Sequence, residues 1–222
     1  MVLEAKELKR FYGQGENEVR ALDGVDILVE EGEFVSIIGT SGSGKTTLLN
    51  LLGGIDRPTS GAVMIDGCDL SRMNEEQLTL FRRRKVGFIF QDYNLIPNLN
   101  IYDNIVLPVE LDGKEIDEDY LGKVVEALSI RDKLYSLPGS LSGGQQQRAA
   151  IARALAAKPA VILADEPTGN LDSKTGEEVI TLLKESNRKF GQTIVMITHN
   201  SEIANRADRI IRIEDGRILG EV

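Results

Sequence analysis

The chain has 222 residues, a length that suggests one large domain on the general prior of about 150 residues per domain. Lys and Arg number 26 against 35 Asp and Glu, giving a net charge of −9. This balance argues against nucleic acid as a partner, because phosphate backbones are bound by clustered Lys and Arg, although the run Arg82–Lys85 leaves a local basic patch open. The single cysteine, Cys68, excludes an intramolecular disulfide and a cysteine-based zinc site, and it favours a reducing compartment.

Short apolar runs along the chain predict buried parallel strands. Such runs are typical of strands that are covered by helices on both faces. We expect strands at 34–38, 86–90, 161–164 and 194–197. Helical apolar spacing separates them at 121–128 and 179–183. The alternation predicts a doubly wound, mainly parallel α/β core. No apolar run reaches the roughly 18 residues of a membrane span, and no signal-peptide core is visible, so we expect another chain to supply any spans.

Two regions depart from this rhythm. Residues 25–29 and 62–65 alternate apolar and polar side chains, and Asp66-Gly67 is a tight-turn pair, which predicts a small antiparallel sheet beside the core. Residues 92–157 carry loop signals, among them Pro108, and helical stretches but no convincing strand. We expect a helical subdomain there, inserted into a core formed by residues 1–91 and 158–222.

A phosphate-binding loop follows the first buried strand. Its eight residues match the pattern G-x-x-x-x-G-K-[ST], between a strand and a helical run, and are Gly39, Thr40, Ser41, Gly42, Ser43, Gly44, Lys45 and Thr46. The glycines let backbone N–H groups turn toward phosphate oxygens, and the helix N-terminus adds positive potential. Lys45 supplies a charge for the outer phosphates, and the Thr46 hydroxyl can bind Mg²⁺. We call residues 39–46 the phosphate loop.

Polar residues at two other strand ends complete the predicted site. Asp165 and Glu166 follow the strand at 161–164, where the first can hold Mg²⁺ and the second can deprotonate an attacking water. His199, the only histidine, follows the strand at 194–197 and could bind a γ-phosphate or the water. Because ligands sit outside the carboxyl ends of parallel strands, we expect these groups to converge.

The run Leu141-Ser142-Gly143-Gly144-Gln145, taken with these elements in this order, resembles the signature of ATP-binding cassette (ABC) ATPases over essentially the whole chain. The resemblance implies a single ABC ATPase domain, 1–222, with a P-loop NTPase (RecA-like) fold. It further implies that Gln91 binds the metal together with Thr46 and Asp165, that Tyr12 stacks on adenine, that Thr47 binds phosphate and that Asp172 communicates across a dimer. We call Ser142–Gln145 the signature turn.

The resemblance also implies ATP and Mg²⁺ as ligands and hydrolysis of ATP, with Glu166 as the base and His199 positioning water and phosphate. In this family the signature turn of one chain caps the ATP of a second copy in a head-to-tail dimer. An integral membrane permease is the further expected partner, met at the surface formed by residues 92–111. The expected location is cytoplasmic, peripheral on the inner face of the cell membrane.

The segments 88–97 and 164–172 resemble the group of lipoprotein-release, macrolide-export and antimicrobial-peptide-resistance ATPases. Two alternatives stay open. One is an ABC ATPase outside transport, although such chains usually carry two cassettes or a long coiled coil. The other is an ATP-dependent regulatory module with little turnover, against which the presence of both Glu166 and His199 argues.

Overall fold

The computed structural model of the chain describes residues 1–221, apart from the side chain of residue 16. Ten strands form two sheets. They are β1 (Leu3–Tyr12), β2 (Val19–Val29), β3 (Phe34–Ile38), β4 (Ser60–Ile65), β5 (Cys68–Asp69), β6 (Val86–Ile89), β7 (Val161–Asp165), β8 (Thr193–Ile197), β9 (Arg209–Glu214) and β10 (Arg217–Glu221). The α-helices are α1 (Lys45–Leu52), α2 (Glu75–Lys85), α3 (Ile101–Leu111), α4 (Glu118–Ala127), α5 (Gly143–Ala156), α6 (Ser173–Phe190) and α7 (Ser201–Ala204).

The central sheet has the order β10-β9-β3-β8-β7-β6. Its pairs from β9 to β6 are all parallel, and only β10 is antiparallel, at one edge. Side chains alternate between two apolar clusters: Val35 and Ile37 belong to one, which contains α1 and the small sheet, whereas Ile162 and Ile194 belong to the other, among α3–α6. Burial on both faces explains the continuous apolar runs in the sequence. The predicted doubly wound core is confirmed.

The second sheet has the order β2-β1-β4-β5 and is antiparallel throughout. Asp66 and Gly67 both have positive φ, 48° and 73°, in the tight turn that joins β4 to β5. Strand β1, which pairs with β2 on one side and β4 on the other, was not predicted, because a register shift between Ala5 and Leu8 breaks its alternation. The small antiparallel sheet itself is confirmed.

Among the described residues, the segment between β6 and β7 contains helices and loops but no strand. Pro108, which we took for a loop signal, lies inside α3, whose apolar face (Ile101, Ile105, Val109) is buried. Packing of that face outweighs the backbone hydrogen bond that proline cannot donate. Helix α5 begins at Gly143, directly after Ser142. The boundaries of the helical subdomain stay a prediction.

The basic run at the end of α2 binds the chain itself. Arg82 donates to the Gly54 carbonyl at 2.6 Å and Arg83 to that of Leu111 at 2.5 Å. Lys85 pairs with Asp66 at 2.7 Å, and Arg84 with the Asp112 carboxylate, also at 2.7 Å. These contacts tie α2 to the ends of α1 and α3 and to the turn of the small sheet.

Within residues 1–221, no helix has both the length and the apolarity that crossing a bilayer requires.

Candidate nucleotide site

The phosphate loop joins β3 to α1 and fits closely against its neighbours. A Cβ added at Gly39 would lie 2.2 Å from the Ile213 carbonyl oxygen, and one at Gly44 would lie 2.3 Å from that of Ala21. Gly44, with φ of 100°, is the residue before α1, and no side-chain hydrogen bond caps this helix. The first N–H groups of α1 are therefore open to an anionic ligand.

Lys45 and Ser43 are the buried polar side chains of the loop. Lys45 Nζ donates to the carbonyls of Gly39 and Thr40 at 2.9 and 2.7 Å. The Ser43 hydroxyl is buried and without a hydrogen-bond partner among the described residues. A buried cation and an unpaired hydroxyl in a glycine-lined turn match the chemistry of a phosphate group.

A cavity of about 590 Å³ opens in front of this loop. It contains eight of the predicted site residues: Ser41, Gly42, Gly44, Lys45, Thr46, Thr47, Glu166 and His199. The three strand ends of the sequence prediction therefore do meet at one cavity. Five further lining residues were missed, namely Val19, Arg20, Ala21, Asp215 and Gly216.

The Asp215-Gly216 pair turns the chain from β9 into β10 and lies on the phosphate loop. Gly216 N–H donates to the Ser43 carbonyl at 3.1 Å, and the Gly216 carbonyl accepts from Asp23 N–H at 2.9 Å. An Asp-Gly turn between alternating apolar residues is a hairpin signal, so this turn could have been found from the sequence. Its contact with the phosphate loop, which lies far away in the chain, could not have been found in this way.

Asp165 lies behind the loop at the end of β7. Burial, followed by the neighbouring charge of Glu166, raises the pKa of its carboxyl, while Lys45 and a hydrogen bond with Thr46 oppose that rise. Oxygen donors from one hydroxyl and one carboxylate suit Mg²⁺, which usually completes its shell with waters and substrate phosphates. The described residues contain no group of three or more His, Cys, Asp or Glu that could hold a metal by themselves.

Glu166 and His199 form a pair at the mouth of the cavity. His199 Nδ1 lies 2.9 Å from Glu166 Oε2, with exposed side-chain fractions of 73% and 18%. Because an ionised carboxylate only accepts hydrogen bonds, a neutral His199 in this pair carries its proton on Nδ1 and leaves Nε2 as an acceptor. Glu166 has φ of 46°, a left-handed conformation that is costly for a residue with a Cβ and that concentrates at functional sites.

Tyr12 lies beside the cavity. It is the last residue of β1 and is paired in register with Val19, which lines the cavity. Its hydroxyl donates to Asp56 Oδ2 at 2.9 Å, and the Arg10 guanidinium lies 4.5 Å from its ring centre. These contacts hold the ring at one orientation, with 39% of the residue exposed.

Gln91 and Asp172 do not line the cavity. Gln91 is exposed, two residues after β6, and its amide donates to Asn170 Oδ1 at 3.0 Å. Asp172 is the N-cap of α6 and accepts from Thr175 N–H at 3.1 Å. Hydrogen bonds from Thr175 lower the pKa of the Asp172 carboxyl.

The signature turn is also apart from the cavity. Ser142 is the N-cap of α5: its hydroxyl accepts from Gln145 N–H at 3.4 Å, and the Gln145 side chain accepts from Ser142 N–H at 3.0 Å. Gly143 and Gly144, with Gln145, form the first turn of α5. The four residues thus make a second helix N-terminus that could bind an anion, but none of them lines the cavity.

Comparison with known proteins identifies the family of the chain. The family model described as ABC transporter matches residues 22–169. An uncharacterized ABC transporter ATP-binding protein of Thermotoga maritima is 49% identical, over 99% of this chain and 94% of the relative. The macrolide export ATP-binding/permease protein MacB of Hyphomonas neptunium is 46% identical, but the chain spans only 34% of its length.

A solved structure provides a further match. MJ0796 of Methanocaldococcus jannaschii, in a dimeric post-hydrolysis state bound to ADP and Pi, superimposes with a TM-score of 0.87 at 43% identity, covering 99% of this chain and 97% of that one. The chain belongs to the ABC transporter ATP-binding family. It is a nucleotide-binding ATPase of that family, and the predicted P-loop NTPase fold and the likeness to macrolide-export cassettes are confirmed.

Proposed function

We propose that the chain binds ATP with Mg²⁺ in the cavity, closes head-to-tail on a second copy, and uses hydrolysis to drive a membrane permease. The observation that carries this proposal is the separation of two anion-binding helix N-termini. One opens into the nucleotide cavity, whereas the signature turn at the start of α5 contributes nothing to that cavity. A second copy would supply the missing turn. The dimeric structures solved for MJ0796 support this arrangement.

The phosphate loop and Thr47 would bind the phosphates of the nucleotide. The open N–H groups at the start of α1 would donate to phosphate oxygens, and Lys45 Nζ would exchange a loop carbonyl for the outer phosphates. Thr46 and Gln91 would ligate Mg²⁺, with Asp165 behind Thr46, and the metal would neutralise charge on the phosphates. Tyr12, held by Arg10 and Asp56, offers its exposed ring to adenine.

Glu166 is the proposed general base and His199 its positioning partner. The Glu166 carboxylate lines the cavity and holds the imidazole by Nδ1, so that Nε2 of neutral His199 can accept a hydrogen bond from the attacking water. A protonated His199 would instead donate to the γ-phosphate, stabilising charge that remains on the phosphate. In the protonated form the Glu166 carboxylate alone would accept a hydrogen bond from the water.

A groove of about 390 Å³ beside α2 and α3 is the proposed permease contact. Its lining includes the apolar side chains of Phe88, Phe90 and Pro108 and the basic residues Arg82, Arg83 and Arg153. Burial lowers the pKa of Arg153, which donates to the carbonyls of Tyr93 and Asn94 within the expected contact surface 92–111. A lining that combines apolar and basic side chains fits a cytoplasmic permease segment that is amphipathic and acidic.

The permease partner would keep the ATPase peripheral on the cytoplasmic face of the membrane. The relative MacB is named as an ATP-binding/permease protein, and the chain spans 34% of its length. We therefore propose that the permease is of the lipoprotein-release, macrolide-export or antimicrobial-peptide type. Substrate contacts would lie in that permease.

The test uses Glu166→Gln, which keeps the shape of the base but removes its charge. Phosphate release should fall by about 10²–10⁴-fold, and with MgATP the variant should elute as a dimer in size-exclusion chromatography with light scattering. Adding Ser142→Arg should abolish the dimer but leave ATP binding intact. Ser71→Arg, on the small-sheet side, is the matched control and should leave the dimer unchanged. Lone subunits of Glu166→Gln with MgATP, or a dimer that survives Ser142→Arg, would refute the shared site.

A further inference from the structure

The side chain of Asn170 joins the loop between β7 and α6 to the loop that follows β6. Its Nδ2 donates to the Gln91 carbonyl oxygen at 3.1 Å and to Asp92 Oδ1 at 2.8 Å, and its Oδ1 accepts from Gln91 Nε2 at 3.0 Å. Asn170 therefore binds both the backbone and the side chain of Gln91. Two of the three bonds join Asn170 to other side chains, which is unusual for an exposed amide because most side-chain hydrogen bonds go to backbone or water.

The chemistry of these partners fixes which way each amide points. A carbonyl and a carboxylate only accept, so the end of Asn170 that faces them must be its NH₂ group. Its other end, Oδ1, can then bind only a donor, and the end of Gln91 that faces it must also be NH₂. Gln91 Oε1 is left with no hydrogen-bond donor among the described residues.

The backbone of Gly169, just before Asn170, packs against the Gln91 side chain. A Cβ added at Gly169 would lie 2.9 Å from Gln91 Cδ, so the Gln91 side chain lies directly on this glycine. Gly169 N–H donates to the Glu166 carbonyl at 2.9 Å. The support for Gln91 is thus the same tight turn that begins at the proposed base, which gives it a fixed position relative to the cavity.

We propose that Asn170 is a positioning residue that presents Gln91 Oε1 to the metal of the bound nucleotide. The inference rests on the proposed function, in which Gln91 is a Mg²⁺ ligand. Groups that bind the outer end of a metal ligand fix its orientation, and their removal typically weakens metal binding by about 10–100-fold. For an amide ligand the orientation decides whether an oxygen or an NH₂ group meets the cation. Asn170 acts through Gln91 and does not touch the nucleotide.

The experiment measures binding of a non-hydrolysable ATP analogue by calorimetry, with and without Mn²⁺. The measured quantity is the factor by which Mn²⁺ raises affinity for the analogue. Gln91→Ala should reduce this factor by about 10-fold, and Asn170→Ala should do the same, while affinity without metal stays unchanged. In the Gln91→Ala background, Asn170→Ala should have no further effect, because both changes remove one unit.

A partner exchange sharpens the test. Asn170→Asp alone places a carboxylate against Asp92 and should reduce the Mn²⁺ factor at least as much as Asn170→Ala. Adding Asp92→Asn restores a donor–acceptor pair between the two positions and should recover part of the factor. Asn205→Ala, an exposed asparagine at the end of α7, is the control and should match the wild type.

The outcomes separate this inference from the function on which it rests. If Gln91→Ala leaves the Mn²⁺ factor unchanged, Gln91 is not a metal ligand and the proposed site is wrong in that respect. If Gln91→Ala lowers the factor but Asn170→Ala does not, the positioning role is overturned. Equal losses with and without metal in Asn170→Ala would also overturn it, since they would show only a general loosening of the loop.

Discussion

The two helix N-termini proposed to bind phosphate, at α1 and α5, begin in different ways. Helix α1 follows Gly44, which has no side chain to cap the helix, and its first N–H groups open into the cavity. Helix α5 follows Ser142, which exchanges hydrogen bonds with Gln145 in a capping box. The first N-terminus needs a ligand to satisfy its donors, whereas the second satisfies two of them internally.

This difference explains how one chain can hold nucleotide at the N-terminus of α1 without using the N-terminus of α5. At α1, backbone geometry prepares the site: glycines allow the close approach and Lys45 is already buried there. At α5, an incoming phosphate would compete with a cap whose Ser142–Gln145 contact is long, 3.4 Å. The α1 site should therefore tolerate little change, and the α5 site should tolerate more.

The largest expected effect is that of Lys45→Ala. Removing the ammonium takes away charge-assisted hydrogen bonds to the outer phosphates, each worth about 1.5–3 kcal/mol, so ATP affinity should fall by roughly 100-fold or more. Isothermal titration calorimetry measures the loss, and Lys6→Ala, at an exposed lysine, is the control. Unchanged affinity would mean that Lys45 stays on the loop carbonyls that it binds in this structure.

A smaller effect is expected for Gly44→Ala, which tests the backbone geometry. The new Cβ would meet the Ala21 carbonyl oxygen at 2.3 Å, and φ of 100° is strained for alanine. Such strain should lower the free energy of unfolding by about 1–3 kcal/mol, measured by urea denaturation. Gly42→Ala is the matched control: it also has positive φ but nothing within 4 Å, so it should cost less. Equal losses would show that close approach does not matter at Gly44.

The sequence predicted the parts of the molecule whose physical signal is local. Buried parallel strands are apolar over their whole length, and the phosphate loop has a pattern that only a narrow set of residues can satisfy. Strand β1 was missed because the spacing of its buried residues Leu3, Ala5 and Leu8 changes at a register shift, which breaks the alternation. Pro108 wrongly indicated a loop, since tertiary packing of α3 overrode this local signal.

The sequence predicted those site residues whose role follows from their own side-chain chemistry or from a local motif. Eight predicted residues line the cavity, but Ala21 and Gly216 reach it only because β2 and the β9–β10 hairpin pack against the phosphate loop. Contacts of this kind depend on sheet order, for which the sequence offers no local signal. The bonds of Asn170 are another example, because they link residues 79 positions apart in the chain.

The smallest expected effect is that of Gln145→Ala, at the other helix N-terminus. Losing one half of the capping box should lower the free energy of unfolding by about 0.5–1 kcal/mol. ATP affinity of the single chain should stay unchanged, because Gln145 does not line the cavity. If the cap must open before α5 can meet a phosphate, its removal should also leave the MgATP dimer of Glu166→Gln intact or slightly more stable. A dimer lost as completely as in Ser142→Arg would instead mean that the Gln145 side chain itself contacts the second copy. Urea denaturation and light scattering on the same samples distinguish these two roles.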